Sequence, residues 1–136
     1  LIIALGKAKQ TSSLPVILEK VRLLEPDDYF SHFRAIALAT ESIRSGEAVA
    51  VLAELLSKPG IRYHHIANLK DARNRVVPGS DDVSTRNRAL KELHLARALY
   101  GCGDQDGMGE KILKKYAEGL QGHYARYANE ILQDQI

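Results

Sequence analysis

The stretch Gly101-Cys102-Gly103-Asp104-Gln105-Asp106-Gly107 is where this chain comes nearest to a known chemistry. Closely spaced glycines after a strand let backbone approach a pyrophosphate, with a helix N-terminus behind it. Here the third glycine stands one place late, and the turn follows a helical pattern instead of a strand. Read as a calcium loop, Asp104 and Asp106 fill the first two liganding positions. Met108 and Lys115 then fall where an oxygen ligand and a bidentate carboxylate are required. A hairpin turn in which Asp106 caps the following helix accounts for the same residues. Cys102 sits just past a helix C-terminus, where the dipole opposes thiolate formation, and no base stands near it in sequence.

His64 and His65 are adjacent, and a metal site would need a third ligand such as Asp71 or Asp81. Neighbouring residues on a helix diverge by about a hundred degrees, so an exposed polar patch is the simpler reading. A small metalloenzyme built on these histidines is the reading it displaces. His94 and His123 fall on helical segments as half-buried, hydrogen-bonded side chains. Lys111, Lys114, Lys115 and Arg126 cluster near Tyr116, Tyr124 and Tyr127, a mixture some nucleic-acid binders use. Lysines at these spacings are also what any solvated helix face carries. The sequence therefore assigns no catalytic, cofactor-binding or metal-binding residue. Its candidate partner contacts are Arg62, Tyr63, His64, His65 and Arg73, which mix aromatic and guanidinium groups of the kind enriched at interface hot spots.

These residues hang on helices. Pro15 follows Ser12-Ser13, and Leu14, Ile17, Leu18, Val21 and Leu24 recur at three- and four-residue steps until Glu25-Pro26. Asp27 and Asp28 are placed to cap a second helix bearing Phe30, Phe33, Ile36, Ala37, Thr40 and Ile43. After Ser45-Gly46 a partner stripe of Ala48, Val51, Leu52, Leu55 and Leu56 runs to Pro59-Gly60, so residues 30–56 read as a helical hairpin. Residues 61–83 form a connector, with room for a short helix at Ile66 and Leu69 and a loop at 76–82. A long helix then starts at Ser84 or at the aspartates before it. Its apolar face is Leu90, Leu93, Ala96 and Tyr100, with Arg86, Lys91 and Glu92 in solvent. It ends at Gly101 and Gly103. Met108, Ile112, Leu113, Tyr116 and Leu120 make the next stripe, and Tyr124, Tyr127, Ala128 and Ile131 a last one. No window alternates in the manner of a strand, so the expected class is all-α in a single domain spanning 1–136.

An apolar fraction of 45% and a charged fraction of 26% are ordinary for a globular domain. Nineteen Lys and Arg against seventeen Asp and Glu leave +2, too balanced for a general attraction to nucleic acid or anionic lipid. No apolar run is long enough to span a bilayer. The lone Cys102 excludes an internal disulfide. Leu1-Ile2-Ile3-Ala4-Leu5 begins the chain in mid-pattern, which reads as a piece cut from a longer polypeptide with an apolar patch at its start.

Ala-Leu pairs at Ala4-Leu5, Ala37-Leu38 and Ala98-Leu99 recur at offsets of 33 and 61 residues, each ahead of a turn. With Leu14-Pro15 after the first, this grammar resembles HEAT-type repeats over most of the chain. A more particular set is the run from Glu92 to Asp104, then Gly109-Glu110-Lys111-Ile112-Leu113 and Gly122-His123-Tyr124-Ala125-Arg126. It is similar to the HEAT-like C-terminal region of large bacterial FAD-dependent oxidoreductases. The resemblance implies an α-α superhelix of about three antiparallel hairpins with a terminal capping helix. It also implies a non-catalytic accessory module whose partner is the rest of its own polypeptide or another protein. No flavin-binding motif lies in this segment, so no cofactor and no catalytic residue carries over. The alternative is an independent HEAT-like nucleic-acid-binding or DNA-glycosylase-like protein.

Overall fold

Amphipathic stripes that recur every three or four residues leave one stable solution, helices packed flank to flank. The structure is a computed structural model that describes residues 13–66, 82–119 and 122–134. Among the described residues it is all-helical: α1 (Leu14–Leu23), α2 (Phe30–Ile43), α3 (Glu47–Leu56), α4 (Asp82–Gly101), α5 (Met108–Ala117) and α6 (Gly122–Asp134). The opening residues Leu1 to Leu5, the end of the expected stripe at Leu120, and Leu69, Asp71, Arg73 and Asp81 lie outside the described residues.

The expected faces of α1, α2 and α3 are the buried ones. Ile17, Val21, Phe33, Leu52 and Leu56 are fully buried, and Phe30 and Ile43 pack half-buried at the ends of their stripe. Each large side chain so buried contributes about 1.5–3 kcal/mol. Thr40 is buried too, because its hydroxyl donates to Ile36 O at 2.8 Å within its own helix.

Residues 30–56 do not close on themselves as a tight hairpin. Although α2 and α3 are joined by the short turn 44–46, they touch each other little. Each packs instead against both α1 and α4, so these two helices bridge them. α2 and α4 run parallel. Phe30 lies beside the His94 ring at 5.6 Å, and Lys91 Nζ sits over the Phe33 ring. Farther along both helices, Arg97 Nε donates to Glu41 Oε1 at 2.9 Å, and Cys102 Sγ donates to Thr40 O at 3.3 Å. α5 turns back antiparallel on α4, and α6 packs on α5 while reaching α4 through Tyr127.

Three local expectations are corrected. Asp28 does not cap α2; its Oδ2 accepts the Glu25 N–H at 2.8 Å and closes the preceding turn. Asp106 does not cap α5 either. Asp104, held at φ 63° by its own N–H bond to Leu99 O, accepts the N–H groups of Gln105, Gly109 and Glu110 at 2.7–3.0 Å. The more N-terminal aspartate wins because the glycine turn folds it back beneath the new helix, where a carboxylate complements the positive end.

The third correction concerns α4. Lys91 and Glu92 are not in solvent: they are 8% and 2% exposed. α4 is enclosed by α2, α3 and α5 and buries Ala89, Leu93, Leu95, Ala96, Ala98 and Leu99 on nearly every side. Lys91 survives burial by donating from Nζ to Pro26 O at 2.8 Å. Desolvation lowers its pKa, against the opposing charges of Asp27 and Asp28.

Candidate partner-contact surface

Glu92 organises the surface from below. A buried carboxylate needs donors on most of its lone pairs. Its Oε2 accepts the Tyr63 N–H at 2.9 Å, and its Oε1 accepts the His64 N–H at 3.0 Å and the Tyr116 hydroxyl at 2.7 Å. Consecutive backbone amides from residues 63 and 64 are thereby tied to a helix nearly thirty residues away in sequence. The tie holds Tyr63 at φ 73°, a left-handed conformation that a bulky side chain adopts only under constraint. Tyr63 is 58% exposed.

Cations gather on that ring. The Arg62 guanidinium lies 4.8 Å from its centroid, and the Lys115 ammonium of α5 lies 5.6 Å from it. Arg62 Nε is shielded from solvent and meets no acceptor. Beside them, a cleft of about 330 Å³ runs along the end of α3 past Ser57, Lys58 and Gly60 to Arg62 and Tyr63. Lys58 is already spoken for: its Nζ donates to Arg22 O and Leu24 O, completing the C-terminal end of α1.

Four of the five contact candidates read from sequence, Arg62, Tyr63, His64 and His65, therefore meet in one pinned turn, and Arg73 falls outside the described residues. The histidines diverge. His64 Nε2 bonds back to Gly60 O at 2.7 Å, and His65 lies edge-on to Tyr116 at 6.1 Å. Among the described residues no group of three His, Cys, Asp or Glu side chains is arranged to hold a metal ion. The basic cluster also separates. Lys114 pairs with Glu110 at 2.9 Å, Lys115 leans to Tyr63, Tyr116 is buried, and Tyr127 accepts a 2.7 Å hydrogen bond from Arg97 Nη1. The Asp104 carboxylate is occupied by backbone amides, and burial pushes the Cys102 thiol up to about 11, with Glu41 adding to the effect.

Sequence reading missed Glu92 and Lys115 as parts of this surface. A signal for Glu92 existed: Ala89, Leu95, Ala96 and Leu99 surround it at helical spacing, so it stands inside an apolar stripe. Nothing local marks Lys115, because its link to Tyr63 depends on how α5 folds back.

His94 is half-buried between the Phe30 and Tyr127 rings, at 5.6 and 5.9 Å. Burial, reinforced by Arg97 and Arg34, drops its pKa from 6.5 to about 4. The folded protein thus favours the neutral ring. Its contribution to stability is complete above pH 6.5 and is lost as pH falls from there towards 4. By pH 5 the loss amounts to about 2 kcal/mol. His94→Phe, which keeps an aromatic ring and cannot take a proton, should flatten this part of the profile. Equal losses for both proteins between pH 7 and 5, followed by urea denaturation, would remove His94 as the cause.

Among the described residues no helix is long and apolar enough to cross a membrane. Comparison of the chain with protein-family models, with curated proteins and with solved structures gives no match.

Proposed function

We propose that this chain is a non-catalytic helical-repeat module that docks the rest of its own polypeptide or a protein partner. The parent, as the resemblance implies, is an FAD-dependent oxidoreductase of which this is the C-terminal region. The observation that carries the docking role is the Tyr63 turn. An exposed aromatic and a guanidinium are presented on backbone that Glu92 has already fixed, so little freedom remains to be lost on binding. The repeat reading draws support from the parallel pair α2 and α4. Their contacts join residues 56 and 62 positions apart, close to the 61-residue offset of the Ala-Leu pairs. The nucleic-acid alternative has no comparable support, since Tyr116 and Tyr127 of its basic cluster are engaged inward.

The test is a photo-crosslinking amino acid at position 63 in the intact polypeptide, with position 29 as control. Tyr29 is another exposed aromatic, 78% accessible, on a different part of the surface. Position 63 should join to one defined surface, of the same chain or of one partner, and position 29 should not. Indistinguishable patterns from the two positions would end the reading.

A further inference from the structure

We propose that the Tyr63 turn takes an acidic protein segment, one carboxylate to Arg62 and another to Lys115, closing over the ring between them. This rests on the docking role above and adds the chemistry of the partner. The fold satisfies several of its cations and leaves two at this turn without an acceptor among the described residues. Lys58, Lys91, Arg97 and Lys114 each donate to an oxygen within 3.0 Å. Arg62 and Lys115 have only the aromatic ring, and no acceptor among the described residues reaches either one. Three described carboxylates are taken elsewhere: Glu92 by two amides and a hydroxyl, Glu110 by Lys114, Glu25 by Lys58. Exposed Glu118 follows on α5 but makes no ion pair with Lys115. The fold therefore presents two unanswered positive charges at one place, on a chain whose overall charge is only +2.

Geometry selects among anions. Both cations lie within 6 Å of one ring centroid, so their separation cannot exceed about 10 Å. Side chains two apart on an extended segment, about 7 Å along the strand, fall within that span. A guanidinium takes a carboxylate in a two-point fork. Stacking of a nucleic-acid base needs an open aromatic face. Here two cations already lie over the Tyr63 ring, so a base would have to compete with them for its π-system.

The test uses the intact polypeptide and a fluorescein-labelled short peptide of alternating Glu and Ala, read by anisotropy. Saturable binding that weakens as salt rises is expected, with a labelled single-stranded oligonucleotide binding more weakly. Arg62→Glu combined with Lys115→Glu should lower peptide affinity at least tenfold. Tyr63→Gly removes the ring while suiting the left-handed backbone, so it separates lost contact from lost fold. It should keep a cooperative melting transition close to that of the parent and still lose at least tenfold in affinity. No saturable peptide binding, tighter binding of the oligonucleotide, or affinity indifferent to the double charge reversal would each overturn the proposal. A position-63 crosslink that survives the charge reversal would overturn the acidic partner while leaving docking at this turn in place.

Discussion

Glu92→Ala is expected to destabilise the protein by about 3–5 kcal/mol, the cost of stranding several buried donors at once. Removing the carboxylate leaves the Tyr63 and His64 amides and the Tyr116 hydroxyl without their acceptor. Among the described residues the hydroxyl also reaches Ala89 O, at 3.4 Å. Glu92→Gln should fall in between. Its single oxygen serves one or two of the donors, while its amide group meets an N–H head-on. Urea denaturation measures the ranking. Hydrogen exchange locates it: the amides of residues 63 and 64 should exchange much faster in the alanine variant under native conditions. A loss of less than about 1 kcal/mol would mean that the turn stays in place without its anchor and that Glu92 does not pin this surface.

Gly109→Ala is expected to cost about 3 kcal/mol, although the same change on an open helix surface gains about 1 kcal/mol. A Cβ at this position would lie 2.9 Å from Ala96 O and 3.1 Å from Tyr100 N, both backbone atoms of α4. It would also come within 3.1 Å of Asp104 Oδ1, the oxygen that accepts the Gly109 N–H. Two of these neighbours are backbone atoms and the third is a carboxylate oxygen held by backbone amides, so α5 has to move away from α4 as a body. Gly46→Ala provides the comparison, since nothing lies within 4 Å of a Cβ there, and its effect should stay within about 0.5 kcal/mol. Similar urea midpoints for the two variants would show that α4 and α5 do not depend on so close an approach.

The helices and their inner faces were legible because each stripe is a local property. Leu14 to Leu24 and Ala48 to Leu56 declare their buried side by spacing alone. The turn at Arg62 to His65 was legible as a surface by composition. What escaped depends on elements distant in the chain. Lys91 and Glu92 look like an ordinary solvated pair until α2, α3 and α5 close around α4 and the Tyr63 turn needs an acceptor. Asp104 and Asp106 are both plausible caps by type. The choice between them is made by the left-handed turn that aims one carboxylate at the amides of α5. Charge pattern likewise placed Lys115 with Lys111 and Lys114, whereas the fold gives it to Tyr63.

The bridging of α2 and α3 by α4 also bears on how the molecule is made. A nascent chain delivers α1, α2 and α3 to solution while the helix that covers two of them is still unsynthesised. During that interval α1 is the one described helix packed on α2 and α3, and the emerging polypeptide carries adhesive surface that chaperones recognise. Final consolidation of the N-terminal half thus waits on residues 82–101, and a translational pause upstream of them would prolong the window for aggregation.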